Sequence, residues 1–262
     1  MSSILENICA DKRAQVKAAK RLKSFDSLHK EALAMPPTRG FLRMLRSATE
    51  QNGAAFIAEI KKASPSAGVI RKNFSPASLA NDYFKAGATC LSVLTDAPYF
   101  KGRNEDLIEA SQVCSLPVLR KDFMLDVWQI AESRIIGADC VLLIMAALSD
   151  TKASELCRAA MDYSMDVLIE VHDSKELARA LALPSPLIGV NSRDLKTMTT
   201  DLKKAAELVR TIPPDRFIVS ESGIRTKDDV AKMKSAGARG FLIGESLLEQ
   251  HDVGEALQKL KG

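Results

Sequence analysis

Short apolar runs rich in β-branched residues recur along this chain, and their recurrence restricts the fold more than any other feature. They cover 55–60, 90–94, 117–119, 140–146, 167–171, 187–190, 217–219 and 240–243. The runs are continuous rather than alternating, as expected of strands covered on both faces. Amphipathic helical stretches lie between them. Ser75-Pro76 supplies an N-cap and a first-turn proline. Asp173-x-x-Glu176 reads as a capping box, and Thr226-x-x-Asp229 as a looser one. Gly87, Gly137 and Gly237 fit helix ends that feed directly into strands. Strand–helix units repeating at roughly 20–35 residues without a linker predict an α/β fold, a closed (β/α)8 TIM barrel. No Gly-x-Gly-x-x-Gly turn follows the first run, which argues against an open doubly wound sheet. The domain expectation is one barrel over residues 1–262, with 1–50 a helical cap or lid. Ile4, Leu5, Ile8 and Cys9 form an apolar stripe there, Pro36-Pro37 interrupts, and 41–45 resumes.

In a barrel, chemistry is placed at the C-terminal ends of strands. The first run carries Glu59 and Lys61 two residues apart, one face of a strand, in surroundings too apolar for a surface ion pair. The third continues into Lys121 and Phe123, the fifth into Glu170 and His172, and the sixth into Asn191 and Arg193. The seventh ends Ser220-Glu221-Ser222-Gly223-Ile224 and the eighth Gly244-Glu245-Ser246. Two lysines, two glutamates, an asparagine and an arginine converging from separate strands point to catalysis. The small residues after the last two strands suit a phosphate held on backbone N–H groups.

Other function classes fit less well. The formal net charge is +4, with basic residues scattered and no basic stripe with interleaved aromatics, so no nucleic-acid partner is expected. His29, His172 and His251 lack ligand spacing, so no metal is expected. No Gly-x-Ser-x-Gly elbow points to a serine hydrolase. The longest apolar run, 141–148, is too short to cross a bilayer, and the first residues lack a signal-peptide pattern. Cys9, Cys90, Cys114, Cys140 and Cys157 are odd in number and far apart, which predicts reduced, structural thiols and a cytoplasmic protein.

Seven motifs, in order, resemble those of indole-3-glycerol-phosphate synthase. They are Ala58-Glu-Ile-Lys-Lys-Ala-Ser-Pro-Ser66, Leu91-Ser-Val-Leu-Thr-Asp-Ala-Pro-Tyr-Phe-Lys-Gly102, Leu119-Arg-Lys-Asp-Phe123, Leu168-Ile-Glu-Val-His172, Ile188-Gly-Val-Asn-Ser-Arg-Asp-Leu-Lys196, Ser220-Glu-Ser-Gly-Ile224 and Leu242-Ile-Gly-Glu245. The resemblance spans nearly the whole chain, including the N-terminal helices. It implies ring closure of 1-(2-carboxyphenylamino)-1-deoxyribulose 5-phosphate, with loss of CO2 and water, to indole-3-glycerol phosphate. This is a carbon–carbon carboxy-lyase step of tryptophan biosynthesis that needs no cofactor.

By this resemblance Lys121 is the general acid, and burial or a second cation is expected to lower its pKa. Lys61 binds the substrate carboxylate and assists dehydration, Glu170 is the base or the electrostatic partner of the iminium intermediate, and Glu59 orients the two lysines or shuttles protons. Asn191 and Ser222 hydrogen-bond the sugar hydroxyls and the leaving water. Ser64, Arg193, Gly223, Gly244 and Glu245 bind the phosphate, the glycines and Glu245 through backbone N–H. Phe100, Phe123, Leu142 and Ile224 form the slot for the aromatic ring. Two departures stand out: Ala67 where many relatives have Lys, and Ser192 where relatives often have Asn. The expected partner is a phosphorylated small molecule, with no membrane partner; the chain is expected to be a monomer, at most weakly associated with other enzymes of tryptophan synthesis. Rival readings are a phosphoribosylanthranilate isomerase-like enzyme and a non-catalytic phosphate-binding barrel. The isomerase calls for a Cys and Asp pair, where these strand ends offer Lys and Glu.

Overall fold

The computed structural model describes residues 4–194 and 197–262. Leu195 and Lys196, which end the fifth motif, and the first three residues lie outside the described part. Eight parallel strands close into a barrel. They are β1 (Ala55–Ile60), β2 (Cys90–Leu94), β3 (Val118–Lys121), β4 (Cys140–Ile144), β5 (Asp166–Val171), β6 (Leu187–Asn191), β7 (Phe217–Glu221) and β8 (Gly240–Ile243). Each pairs with its sequence neighbours, and β1 closes the ring on β8. The fold is a TIM barrel.

Helices α1 (Ile4–Leu22), α2 (Phe25–Leu33) and α3 (Phe41–Asn52) precede the barrel. The rest are α4 (Pro76–Lys85), α5 (Ala97–Phe100), α6 (Asn104–Val113), α7 (Val127–Ile135), α8 (Asp150–Asp162), α9 (Ser174–Ala180), α10 (Leu202–Val209), α11 (Lys227–Ala236), α12 (Glu245–Leu248) and α13 (Val253–Lys261). A two-stranded ribbon, Ala63–Ser64 against Gly68–Val69, closes the loop after β1.

Most punctuation lies where the residues place it. Ser75 caps α4 ahead of Pro76, and Gly87, Gly137 and Gly237 all have positive φ. The two capping boxes exchange rank. Thr226 and Asp229 form the reciprocal pair, whereas Glu176 turns back to accept from the His172 N–H and leaves Asp173 to cap α9 alone. Some strand ends also move. β3 runs on through Arg120 and Lys121, β6 takes in Asn191 and β7 takes in Glu221, while the fourth run ends at Ile144 and becomes a 3-10 turn over Met145–Ala147. Charged residues stay in the ladder here because neighbouring strands satisfy their backbone groups whatever their side chains do.

Two packed layers divide the apolar residues. One fills the space between strands and outer helices; the other fills the barrel interior. Alternation sorts them, so Ile57, Leu119, Leu168 and Val219 point inward. The end opposite the catalytic face is stoppered by α3, whose Phe41 and Leu45 are wholly buried among the first inward residues of the strands. Two aspartates at that end hold the stopper. Asp166 accepts from the Leu42 N–H at 2.9 Å, and Asp139 accepts from Arg39 N and Nε at 2.7 and 2.8 Å. Phe41→Ala is expected to cost about 3–5 kcal/mol, the usual loss for a buried phenylalanine. Urea unfolding would measure it, and a loss below about 1 kcal/mol would show the plug to be dispensable.

Candidate active site

The other end of the barrel opens into a cavity of about 430 Å³. Every site residue singled out from the sequence lines it, on loops and strand ends from both halves of the chain. The inward column of each strand explains why. Ile57 is followed by Glu59, Leu119 by Lys121, Leu168 by Glu170, and Val219 by Glu221, each two residues on and therefore on the same face. Apolar residues fill the lower barrel and charged ones the next rung.

On that rung the charges pair across strands. Lys61 donates to Glu59 Oε1 at 2.7 Å. Lys121 Nζ lies 3.3 Å from Glu221 Oε2 and 3.7 Å from Glu170 Oε2. The imidazole of His172 stands behind Glu170, with Nε2 3.3 Å from Glu170 Oε1 and Nδ1 3.0 Å from Glu176 Oε2. Three of these groups, Glu59, Glu170 and Glu221, are buried to within a few per cent of complete.

The charge states follow. Burial disfavours ionised Glu59, yet Lys61 and then Lys121 hold it below the usual carboxylate range. Burial likewise works against Glu170, but Lys121 and His172 hold its carboxyl well below the ordinary value. His172, opposed by burial, is pushed up to about 10 by Glu170 and Glu176 and stays an imidazolium. Glu221 goes the other way. Burial, aided by Glu170 and Glu59, outweighs Lys121 and raises it to about 8. Neither Glu221 oxygen has a hydrogen bond of sound geometry, and the Lys121 contact at 3.3 Å becomes an ion pair only as Glu221 ionises near pH 8. At neutral pH Glu59 and Glu170 are then carboxylates, Glu221 is a neutral acid and His172 is a cation.

Lys121 overturns its expected pKa. Burial does lower it, but Glu221, Glu170 and Glu59 together raise it above the ordinary lysine value. Three carboxyl groups outweigh desolvation. A proton donor at this position is therefore always loaded.

The two ends of the cavity differ in character. Phe100, at the end of α5, and Phe123, just past β3, face each other with ring centroids 6.2 Å apart. Leu142 and Ile224 add buried apolar surface. At the other end Gly223 has φ +76° and Ser222 φ +64°, a sharp turn on the cavity wall. Ser192 Oγ donates to the Ser222 carbonyl at 3.0 Å and so ties the end of β6 to the end of β7. Arg193 is 3.2 Å from Glu245 Oε2, and Arg225 is 3.1 Å from Glu245 Oε1. Ser64 Oγ accepts from the Ala67 N–H at 3.1 Å, shaping the loop after β1.

A family model described as indole-3-glycerol phosphate synthase matches residues 5–260. The chain belongs to that family. An indole-3-glycerol phosphate synthase of Azospirillum brasilense is 52% identical over 260 residues, covering 99% of both chains. One from Rhodospirillum rubrum is 51% identical over 263 residues, covering all of both. Among solved structures, tryptophan synthase subunit alpha from Legionella pneumophila is similar with a TM-score of 0.62 at 13% identity. It covers 86% of this chain and 98% of its own, and at that identity the likeness is of fold. The family acts in tryptophan synthesis.

Within this family member the residue that sequence reasoning passed over is Glu221. It stands in a quoted motif, but Ser222 beside it was preferred as the polar candidate. The signal was available: Glu221 follows the apolar Val219 by two and so continues the inward column. Glu59, expected to orient both lysines or shuttle protons, pairs directly with Lys61, and Glu221 is the carboxyl nearest Lys121. The α1 residues Ile4, Leu5 and Ile8, part of the apolar stripe expected in the cap or lid, also line the cavity, as does Arg225, which no sequence signal marks.

Two glycines make room for the carboxylates. A Cβ at Gly189 would stand 2.1 Å from Glu221 Oε1, and one at Gly244 would stand 2.4 Å from Glu59 Oε1. Gly189 does not have positive φ, so alanine there meets a steric problem alone. Gly189→Ala is expected to displace the Glu221 carboxyl and lower stability by about 1–3 kcal/mol. A thermal melt with a crystal structure of the variant checks this; an unmoved Glu221 would refute it.

Among the described residues no group of three or more His, Cys, Asp or Glu is arranged to hold a metal ion, and no helix is long and apolar enough to cross a membrane. Cys9, Cys90, Cys140 and Cys157 are buried as free thiols, and Cys114 is partly so.

Proposed function

We propose that this cavity closes the indole ring: it converts 1-(2-carboxyphenylamino)-1-deoxyribulose 5-phosphate to indole-3-glycerol phosphate, CO2 and water, as a carboxy-lyase of the cytoplasm. One observation supports this most: the Lys121 ammonium sits between two carboxyl groups, with an aromatic slot on one side and an anion cradle on the other.

In this reading the aromatic ring lies between Phe100 and Phe123, and the phosphate lies against Ser64, Arg193 and the backbone of Gly223, Gly244 and Glu245. That orientation lays the ketone over the charged rung. Ring carbon attacks the ketone while Lys121 gives its proton to the carbonyl oxygen, so negative charge never accumulates there. The product of this step is an iminium that still carries the substrate carboxylate on the ring carbon that made the new bond. Loss of CO2 returns the C–C bonding pair to the ring and cancels the positive charge. Lys61, beside Glu59, holds that carboxylate until it leaves.

Dehydration follows. The new hydroxyl leaves as water with a second proton, while a carboxylate removes the hydrogen from the adjacent carbon. Glu170, kept ionised by Lys121 and His172, is the base, and Lys61 assists the departing water. Asn191 and Ser222 hold the hydroxyls. Glu221 exchanges protons with Lys121 between steps, being protonated at neutral pH and 3.3 Å away. One proton is consumed overall, as replacing a carboxylate by CO2 requires.

The test is direct. Purified protein supplied with the carboxyphenylamino ribulose phosphate should give indole fluorescence and one CO2 per turnover; no product at any pH would end this reading. Arg193→Ala should raise KM about 10²-fold and leave kcat within a few-fold, because phosphate contacts are shared by ground and transition states. A fall in kcat at unchanged KM would contradict the phosphate role.

A further inference from the structure

Below the aromatic slot lies a second buried charge cluster that the chemistry above does not use. Lys12, in the third turn of α1, is almost wholly buried. Its ammonium lies 2.7 Å from Asp96 Oδ1 and 2.8 Å from Asp122 Oδ1. Both aspartates are at least as buried. Two carboxylates and one ammonium removed from water are costly unless each has further partners. Asp122 has them: its Oδ2 accepts from Thr95 Oγ1 at 2.6 Å and lies 3.5 Å from the Arg120 guanidinium.

The two aspartates hold the walls of the slot. Asp96 is the N-cap of α5, accepting from the Tyr99 N–H at 3.0 Å, and the next residue is Phe100. Asp122 separates Lys121 from Phe123 and accepts from the Phe123 N–H at 2.8 Å. One ammonium thus joins the segment that carries Phe100 to the segment that carries both Phe123 and Lys121. The helix supplying it also places Ile4, Leu5 and Ile8 on the cavity wall. A second contact runs in the same direction, from the Tyr99 hydroxyl to Asp11 at 2.6 Å.

We propose that Lys12 is a positioning residue for the aromatic half of the site. It sets the spacing between the two phenylalanines, fixes the corner from which Lys121 projects, and seats α1 against them. The proposal rests on reading the cavity as the site of ring closure and adds a residue outside it. The phosphate end is built after β6, β7 and β8, with Ser64 from the loop after β1, and none of these residues lies on the segments the ammonium ties together. Loss of Lys12 should therefore damage one end of the site and spare the other, which a general loss of stability would not do.

Lys12→Met separates the cases, with ring-closure kinetics and calorimetric titration of two ligands, indole-3-glycerol phosphate and glycerol 3-phosphate. A wall displaced by about an ångström should lower kcat about 10²-fold and weaken indole-3-glycerol phosphate at least about tenfold. Glycerol 3-phosphate should bind within about twofold of wild type, and Lys12→Arg should recover part of the loss. Equal weakening of both ligands, or wild-type behaviour toward both, would overturn the proposal. If Lys12→Met does not fold, Asp96→Asn keeps the Lys12–Asp122 pair and an N-cap for α5. It should then show a smaller loss confined to the indole ligand, and unchanged affinity for that ligand would overturn the proposal. A wild-type protein that makes no indole product would sink the functional reading; an active one with an unpolarised Lys12→Met phenotype would sink this inference alone.

Discussion

Lys121→Met is expected to reduce ring-closing turnover by about 10³-fold or more, the combined loss of a general acid and of charge stabilisation at the carbonyl oxygen. The geometry explains why no neighbour takes over. Lys61 is committed to Glu59 at 2.7 Å, and His172 lies behind Glu170, held from both sides by carboxylates. Methionine keeps the length of the side chain while removing the proton and the charge. It also takes from Glu170 one of the two cations that hold it ionised, leaving His172 alone to oppose burial, so Glu170 is a less ready base. Two functions are lost together. Stopped-flow indole fluorescence with saturating substrate measures the effect. Substrate affinity should fall far less than turnover, since the slot and the phosphate cradle stay in place. A variant turning over within about tenfold of wild type would remove Lys121 from the acid role.

Glu221→Gln should lower kcat by about 10²-fold and change the shape of the pH profile. In the wild-type protein Glu221 is raised to about 8, so it holds its proton at neutral pH and releases it as the pH rises through that value. The sign is that of a raised acid: activity that depends on the protonated form is complete well below pH 8 and falls above it. Glutamine is neutral at every pH and cannot exchange a proton. The variant should therefore be slow throughout and lack the inflection near pH 8. Folding stability carries the same sign, since a carboxyl kept protonated by burial destabilises the fold progressively between the ordinary carboxylate value and about 8. Glu221→Gln should lose less stability than wild type across that window in thermal melts at stepped pH. A variant with wild-type turnover and a persisting inflection would assign the limb to another group.

The residues that placed the site in advance share one property: they end apolar runs. Glu59, Lys121 and Glu170 interrupt continuous hydrophobic sequence at strand ends, so their cost if unused was visible without coordinates. Phe100 and Phe123 were legible only from the motifs that carry the family resemblance. Glu221 was equally legible by phase but was hidden among small polar neighbours. Lys12 was not legible. It sits in a helix with many other basic residues, and nothing in that run distinguishes the one lysine that is buried from the several that are exposed.

Periodicity alone determined the barrel, the inward columns and the strand ends where charged residues gather, because alternation and strand length depend on neighbours close in the chain. Only the closed ring decided which carboxylate faces which amine. Glu59 went to Lys61, Glu221 went to Lys121, and the proton settled on Glu221 and Lys121. Those outcomes depend on distances between strands far apart in sequence, and Coulomb energy in a dry cavity responds to such distances and not to composition.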